Sequence, residues 1–208
     1  MTALFRRSFP LAAAAIVTIL SSGHGLGQAA KADGGPPTFD DIPSPEFNTG
    51  KNKSFKPGDW LELEAKLNLS MSPEPPSKTC EKITVKWYVA IKNPEKPSSM
   101  LLLTKDVEHV NVPLGEDIFA SIYLSPGSIK RVTGSSKGGK SAVEIVGYEV
   151  LYNGTKIAEA TTKFKPGWWN AASDKIARSE TVPLLTKPET PFSNMWWDRY
   201  AENGVERR

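Results

Sequence analysis

The chain has 208 residues, with 26 Lys+Arg against 23 Asp+Glu, two histidines and one cysteine. A single cysteine excludes an intramolecular disulfide, and because His24 lies in the expected signal, the one Cys and one His that remain leave no ordinary zinc ligand set. Residues 1–32 hold Arg6, Arg7 and Lys31 but no acid, so the remainder balances at 23 charges of each sign and lacks the basic excess of a nucleic-acid binder.

Arg6 and Arg7 precede an apolar run from Phe9 to Leu20, and small residues follow from Ser21 to Gly27. This is the layout of a secretory signal, with small-x-small cleavage sites at Gly27-Gln28-Ala29 and Ala30-Lys31-Ala32. The run falls short of the roughly 20 apolar residues that span a bilayer. Residues 1–32 are therefore expected to be a signal peptide. The product would be exported to the periplasm or cell surface, with no stable membrane span after cleavage. Its loss removes His24 and leaves His109 as the only histidine.

Residues 33–58 carry Pro36, Pro37, Pro43, Pro45 and Pro57 among glycines and charges, a composition expected of a linker. Phe39, Ile42, Phe47 and Phe55 could anchor it in extended form along a neighbour.

Period-two alternation then begins. From Trp60 to Leu69 one face reads Leu61, Leu63, Ala65, Leu67 and Leu69, the mark of a strand with one buried face. A second strand is expected over Lys82–Ile91, with Ile83, Val85, Trp87, Val89 and Ile91 inward. Met100–Val112 is extended and forms a hairpin with it. Asp117–Leu124 alternates again. Ser125-Pro126 reads as an N-cap with proline at the first helical position, ahead of one helical turn over Ser128–Val132. Gly134–Lys140 reads as a mobile loop. Ala142–Tyr152 and Thr155–Phe164 flank Asn153-Gly154, the strongest short hairpin signal, because a type I′ turn needs two residues at positive φ. That turn also accounts for the sequon Asn153-Gly154-Thr155. A β-sandwich domain over 59–164 follows, all-β and antiparallel, immunoglobulin-like in architecture without the Cys…Trp…Cys pattern.

The last stretch, 165–208, holds Trp168-Trp169 and Trp196-Trp197, with prolines at 166, 183, 188 and 191 that exclude a long helix. Four indoles are too much apolar surface for a free tail. A non-helical, aromatic-rich tail packed on the domain or on a partner is expected. In an extended backbone one member of each pair packs and the other is available. Trp168, Trp169, Trp196 and Trp197 are thus the candidate partner-binding residues.

No catalytic residue is assigned. His109, in Val107-Glu108-His109-Val110, would need a nucleophile and an orienting acid; a strand histidine satisfied by a hydrogen bond is the simpler reading. Asp40-Asp41 and Glu116-Asp117 could suggest paired carboxylates, but neighbours in a strand point to opposite faces. No cofactor or metal is implied. Cys80 reads as an unpaired thiol.

Several phrases resemble a family of small exported proteins of Verrucomicrobia linked to pilus-like gene clusters. They are Phe55-Lys56-Pro57-Gly58-Asp59-Trp60-Leu61-Glu62, Thr84-Val85-Lys86-Trp87-Tyr88-Val89, His109-Val110-Asn111-Val112, Tyr123-Leu124-Ser125-Pro126, Trp168-Trp169, and Thr190-Pro191-Phe192 to Trp196-Trp197-Asp198-Arg199-Tyr200. The resemblance implies an Ig-like sandwich outside the cytoplasmic membrane and a role in pilus assembly or adhesion, and it brings no catalytic residues. The chain lacks the long apolar N-terminal helix of a normal pilin. The expectation is a non-catalytic assembly or interaction protein whose partner is an envelope or pilus protein or a second copy. The alternative is a carbohydrate-binding module using exposed tryptophans.

Overall fold

The computed structural model describes residues 28–46, 56–171 and 173–204. Residues 1–27, the body of the expected signal, lie outside them, as do Phe47 and Phe55. Among the described residues no helix is long and apolar enough to cross a membrane.

Two five-stranded sheets face each other. Among the described residues the strands are β1 (Ala29–Gly34), β2 (Thr38–Pro43), β3 (Asp59–Ser72), β4 (Thr79–Lys92), β5 (Met100–Pro113), β6 (Asp117–Leu124), β7 (Val143–Tyr152), β8 (Thr155–Thr161), β9 (Ile176–Arg178) and β10 (Leu185–Thr186), with one α-helix, α1 (Pro126–Thr133), and short 3₁₀ turns. The first sheet runs β1-β3-β6-β10, with β2 also on β3; the second runs β8-β7-β4-β5-β9. All pairs are antiparallel except β5–β9. This is the all-β sandwich with a non-helical, aromatic-rich tail that the alternation implied.

The core is the predicted inward face. Leu61, Leu63, Leu67 and Leu69 of β3 meet Ile83, Val85, Trp87 and Val89 of β4, with Ile118, Ile122, Val146 and Val150 from their neighbours. At Asn153 and Gly154, φ is 48° and 76°, so the β7–β8 hairpin closes on the expected turn. Ser125 caps α1 by accepting from the Ser128 N–H at 3.2 Å, and Gly134 ends it in the left-handed region at φ 78°.

The linker reading of 33–58 is corrected over 33–43, while 47–55 lie outside the described residues. Ala29–Gly34 and Thr38–Pro43 form one edge of the first sheet, interrupted at Gly35-Pro36-Pro37, and pair with opposite ends of β3. Small side chains and prolines hid this strand, because its partner supplies the apolar face. Gly34 leaves room for Tyr148, whose hydroxyl donates to the Gly35 carbonyl at 2.9 Å; a Cβ at Gly34 would collide with that hydroxyl and with Leu67. Ala29–Ala32, placed by sequence at the end of the signal, belong to this strand. Gly134–Lys140 is likewise anchored, not merely a loop: Asp59 N–H donates to Ser136 O at 3.0 Å and Lys140 N–H to Asp41 Oδ1 at 3.0 Å.

Candidate functional site

The tail clads the outer faces of both sheets and closes one open side between them. After β8 the chain turns through Phe164 (φ 64°) and Gly167 (φ 90°) into a 3₁₀ turn, Trp168–Asn170. Both indoles then lie on the outer face of the second sheet with Ala90, Leu102 and Ile145. Trp169 stacks flat on Tyr88, and Trp168 Nε1–H donates to Thr161 Oγ1 at 3.1 Å. They are 9% and 3% exposed. The expectation that one member of this pair would be available is overturned, because a 3₁₀ turn does not alternate as a strand does and both rings find apolar seats. Trp168 and Trp169 are therefore cladding and are withdrawn as partner-binding residues.

The chain next adds β9 to β5 and β10 to β6. Phe192 packs against Trp60 and Tyr123 on the outer face of the first sheet, edge-on to Trp60 at 5.8 Å and stacked on Tyr123 at 5.5 Å. Residues 200–204 then bridge the sheets: Ala201 N–H donates to Phe119 O of β6 at 2.9 Å, Val110 N–H of β5 to Glu202 O at 2.9 Å, and Gly204 N–H to Glu108 O at 2.8 Å.

His109 sits under this clasp, 1% exposed. Its Nδ1 is 3.3 Å from Ala201 O, which fixes the tautomer with the proton on Nδ1, and Nε2 has no partner. Burial pushes the imidazole pKa down to about 4, against the pull of the backbone hydrogen bonds to Ala201 and Glu202. It is a neutral structural histidine. Cys80 is free and buried, and burial raises its thiol pKa. Among the described residues no three His, Cys, Asp or Glu side chains are grouped to hold a metal.

Trp196 and Trp197 behave differently from the first pair. They are 54% and 63% exposed, so here too the one-in, one-out expectation fails, with both rings outward. Trp196 has φ 50°, a sparsely populated conformation for a bulky residue, and initiates the 3₁₀ turn Trp197–Arg199. The turn is pinned from beneath. Phe192 lies nearly parallel to Trp196, 6.1 Å away. Arg199 grips Glu64 with both terminal nitrogens and lies over the Phe119 ring at 3.8 Å; the Glu64 hydrogen bond holds the guanidinium pKa up. Glu62 accepts from the Tyr123 and Tyr200 hydroxyls, each at 2.7 Å. Lys187, nearly buried, sits 5.8 Å from the Trp197 ring and 5.1 Å from Tyr200, and its burial lowers its pKa.

Beside this turn a groove of about 690 Å³ runs over the first sheet, walled by Phe39, Ile42 and Trp196 and edged by Asp40, Lys140 and Arg199. Asp40 and Asp41 are not a catalytic pair: Lys140 binds Asp40 through its ammonium at 3.1 Å and Asp41 through its amide. Phe39 and Ile42, expected as anchors for a linker, line the groove instead. Sequence could mark the second tryptophan pair as notable, but not the Glu62, Glu64 and Lys187 partners, which come from distant positions.

No curated protein matches the chain. A protein from Akkermansia muciniphila, known from a crystal structure, is similar with a TM-score of 0.81 and 34% identity, covering 87% of this chain and 96% of that one. A family model matches residues 24–207. With that match over nearly its whole length, the chain belongs to the same family as the Akkermansia muciniphila protein, the small Ig-like β-sandwich proteins of Verrucomicrobia that its strand phrases resemble.

Proposed function

We propose that this is an exported, non-catalytic assembly or interaction protein of the cell envelope, and that Trp196 and Trp197 form its partner-binding surface. One observation carries the reading. Two adjacent indoles are held outward on a turn braced by Phe192, Arg199–Glu64 and Lys187, while Trp168, Trp169 and Phe192 of the tail pack on the chain's own sheets. Rigid aromatic anchors lose little entropy on docking and dominate protein interfaces. The partner is an envelope or pilus-type protein, or a second copy. Replacing both rings in Trp196→Ser/Trp197→Ser should abolish complex formation with envelope proteins and leave the unfolding free energy within about 0.5 kcal/mol of wild type, as for exposed sites.

A carbohydrate-binding role is the second reading, favoured by the groove beside Trp196 with its aromatic wall and polar edge. Against it, Glu62 and Glu64 already accept hydrogen bonds from Tyr123, Tyr200 and Arg199, leaving fewer acceptors for sugar hydroxyls. Titration with glycans separates the readings: a saturable change in tryptophan fluorescence lost in Trp196→Ser supports the sugar site, and no change supports the protein partner.

A further inference from the structure

The charges of this near-neutral chain are not evenly spread. The antiparallel order brings the end of β4, the start of β5, the start of β7, the end of β8 and α1 to one end of the sandwich. That end exposes Lys92 at the end of β4 and Lys96 in the loop after it, Lys130, Arg131 and Lys137 on and after α1, and Lys163 and Lys165 after β8. None is in an ion pair among the described residues, whereas Lys66, Lys82, Lys86, Lys105 and Lys156, along the strands, all are. Glu46, Glu95 and Asp174 are exposed acids of the same end, and Asp40 there is paired with Lys140 at 3.1 Å. The opposite end mixes Glu74, Glu81 and Glu116 with Lys31 and Lys78, so another copy does not supply a matching acidic face.

Between Lys163 and Lys165 stands Phe164, 74% exposed with φ 64°. A large apolar residue held in the left-handed region and aimed at solvent is an outlier that points to a function. A free polyanion would need the lysines alone. An exposed aromatic ring flanked in the chain by two unpaired lysines, at a basic end of the sandwich, suits an anionic bilayer, where the ring enters the headgroup boundary and the lysines meet lipid phosphates.

We propose that this end of the sandwich is a peripheral docking surface for anionic membranes, with Phe164 as the inserted residue. It is separate from the Trp196–Trp197 surface, so either can fail alone.

The test uses residues 28–208, which hold every described strand and omit the apolar segment Phe9–Leu20 that would itself partition into lipid. Binding is measured by co-sedimentation with vesicles of phosphatidylglycerol and phosphatidylcholine, and with phosphatidylcholine alone. The expected result is salt-sensitive binding to the anionic vesicles only. Each of Lys163→Gln and Lys165→Gln should weaken it about fivefold. Phe164→Gly should weaken it at least tenfold without unfolding, since glycine accepts the positive φ. Trp196→Ser should leave it unchanged. Absence of anionic-vesicle binding overturns the proposal. So does binding indifferent to Phe164→Gly and matched on heparin, which would make this end a site for soluble polyanions.

Discussion

Trp169 lies flat on Tyr88, with ring centroids 4.4 Å apart and planes 4° from parallel, and it reaches that seat because residue 147 on the adjacent strand has no side chain. A Cβ at Gly147 would lie 2.5 Å from Trp169 Cζ3. Gly147→Ala should therefore lift the indole and cost roughly 1–3 kcal/mol, as overpacking does. Trp169→Ala should cost about 3–5 kcal/mol. Urea unfolding measures both. Because the two act through one contact, the double variant should lose less than the sum.

His109 makes the clasp acid-sensitive. The imidazole is neutral in the fold, with its pKa held near 4 by burial, against 6.5 for the ordinary side chain. Between those values the unfolded chain binds a proton that the folded chain refuses. Stability is thus full above pH 6.5 and falls as pH drops toward 4, by roughly 3 kcal/mol at most. Unfolding midpoints at pH 7.5 and 4.5 should show this drop, and His109→Gln, which cannot titrate there, should lose most of the pH dependence.

The N-terminal edge strand ties the proposed export processing to stability. A chain beginning at Asp33 lacks Ala29–Ala32 and leaves Leu69–Ser72 of β3 without their antiparallel partners. It should be less stable than one beginning at Ala30, the product of the earlier site, by roughly 1–3 kcal/mol, in the same urea assay. Intact-mass analysis of the exported protein should then find cleavage at the earlier of the two small-residue sites.

Arg199 fixes the exposed turn through a two-pronged grip on Glu64 while stacked over Phe119. Lysine cannot reproduce either geometry. Arg199→Lys should cost only about 1 kcal/mol, since the pair is partly solvated, but should increase acrylamide quenching of Trp196 and Trp197.

The long strands were legible because each buries one face against a core, and Trp60–Leu69, Lys82–Ile91 and Asp117–Leu124 write that face in every second residue. The strand over Ala29–Pro43 was not, since alanines, glycines and prolines at a sheet edge draw their apolar contacts from Leu67 and Tyr148 across the fold. The tryptophan pairs were visible as pairs. Their opposite fates were not, because burial of Trp169 depends on Gly147 and Tyr88, and exposure of Trp197 on a turn pinned by Glu64, all remote in sequence.

The partner surface is tested most directly by photo-crosslinking in cells from position 197, with Lys156 on the hairpin of the other sheet as control. One discrete adduct with an envelope protein or a second copy, formed from position 197 and absent from position 156, is the expected result. No adduct from position 197, or the same adducts from both positions, would contradict the assignment of Trp196 and Trp197 as the binding surface.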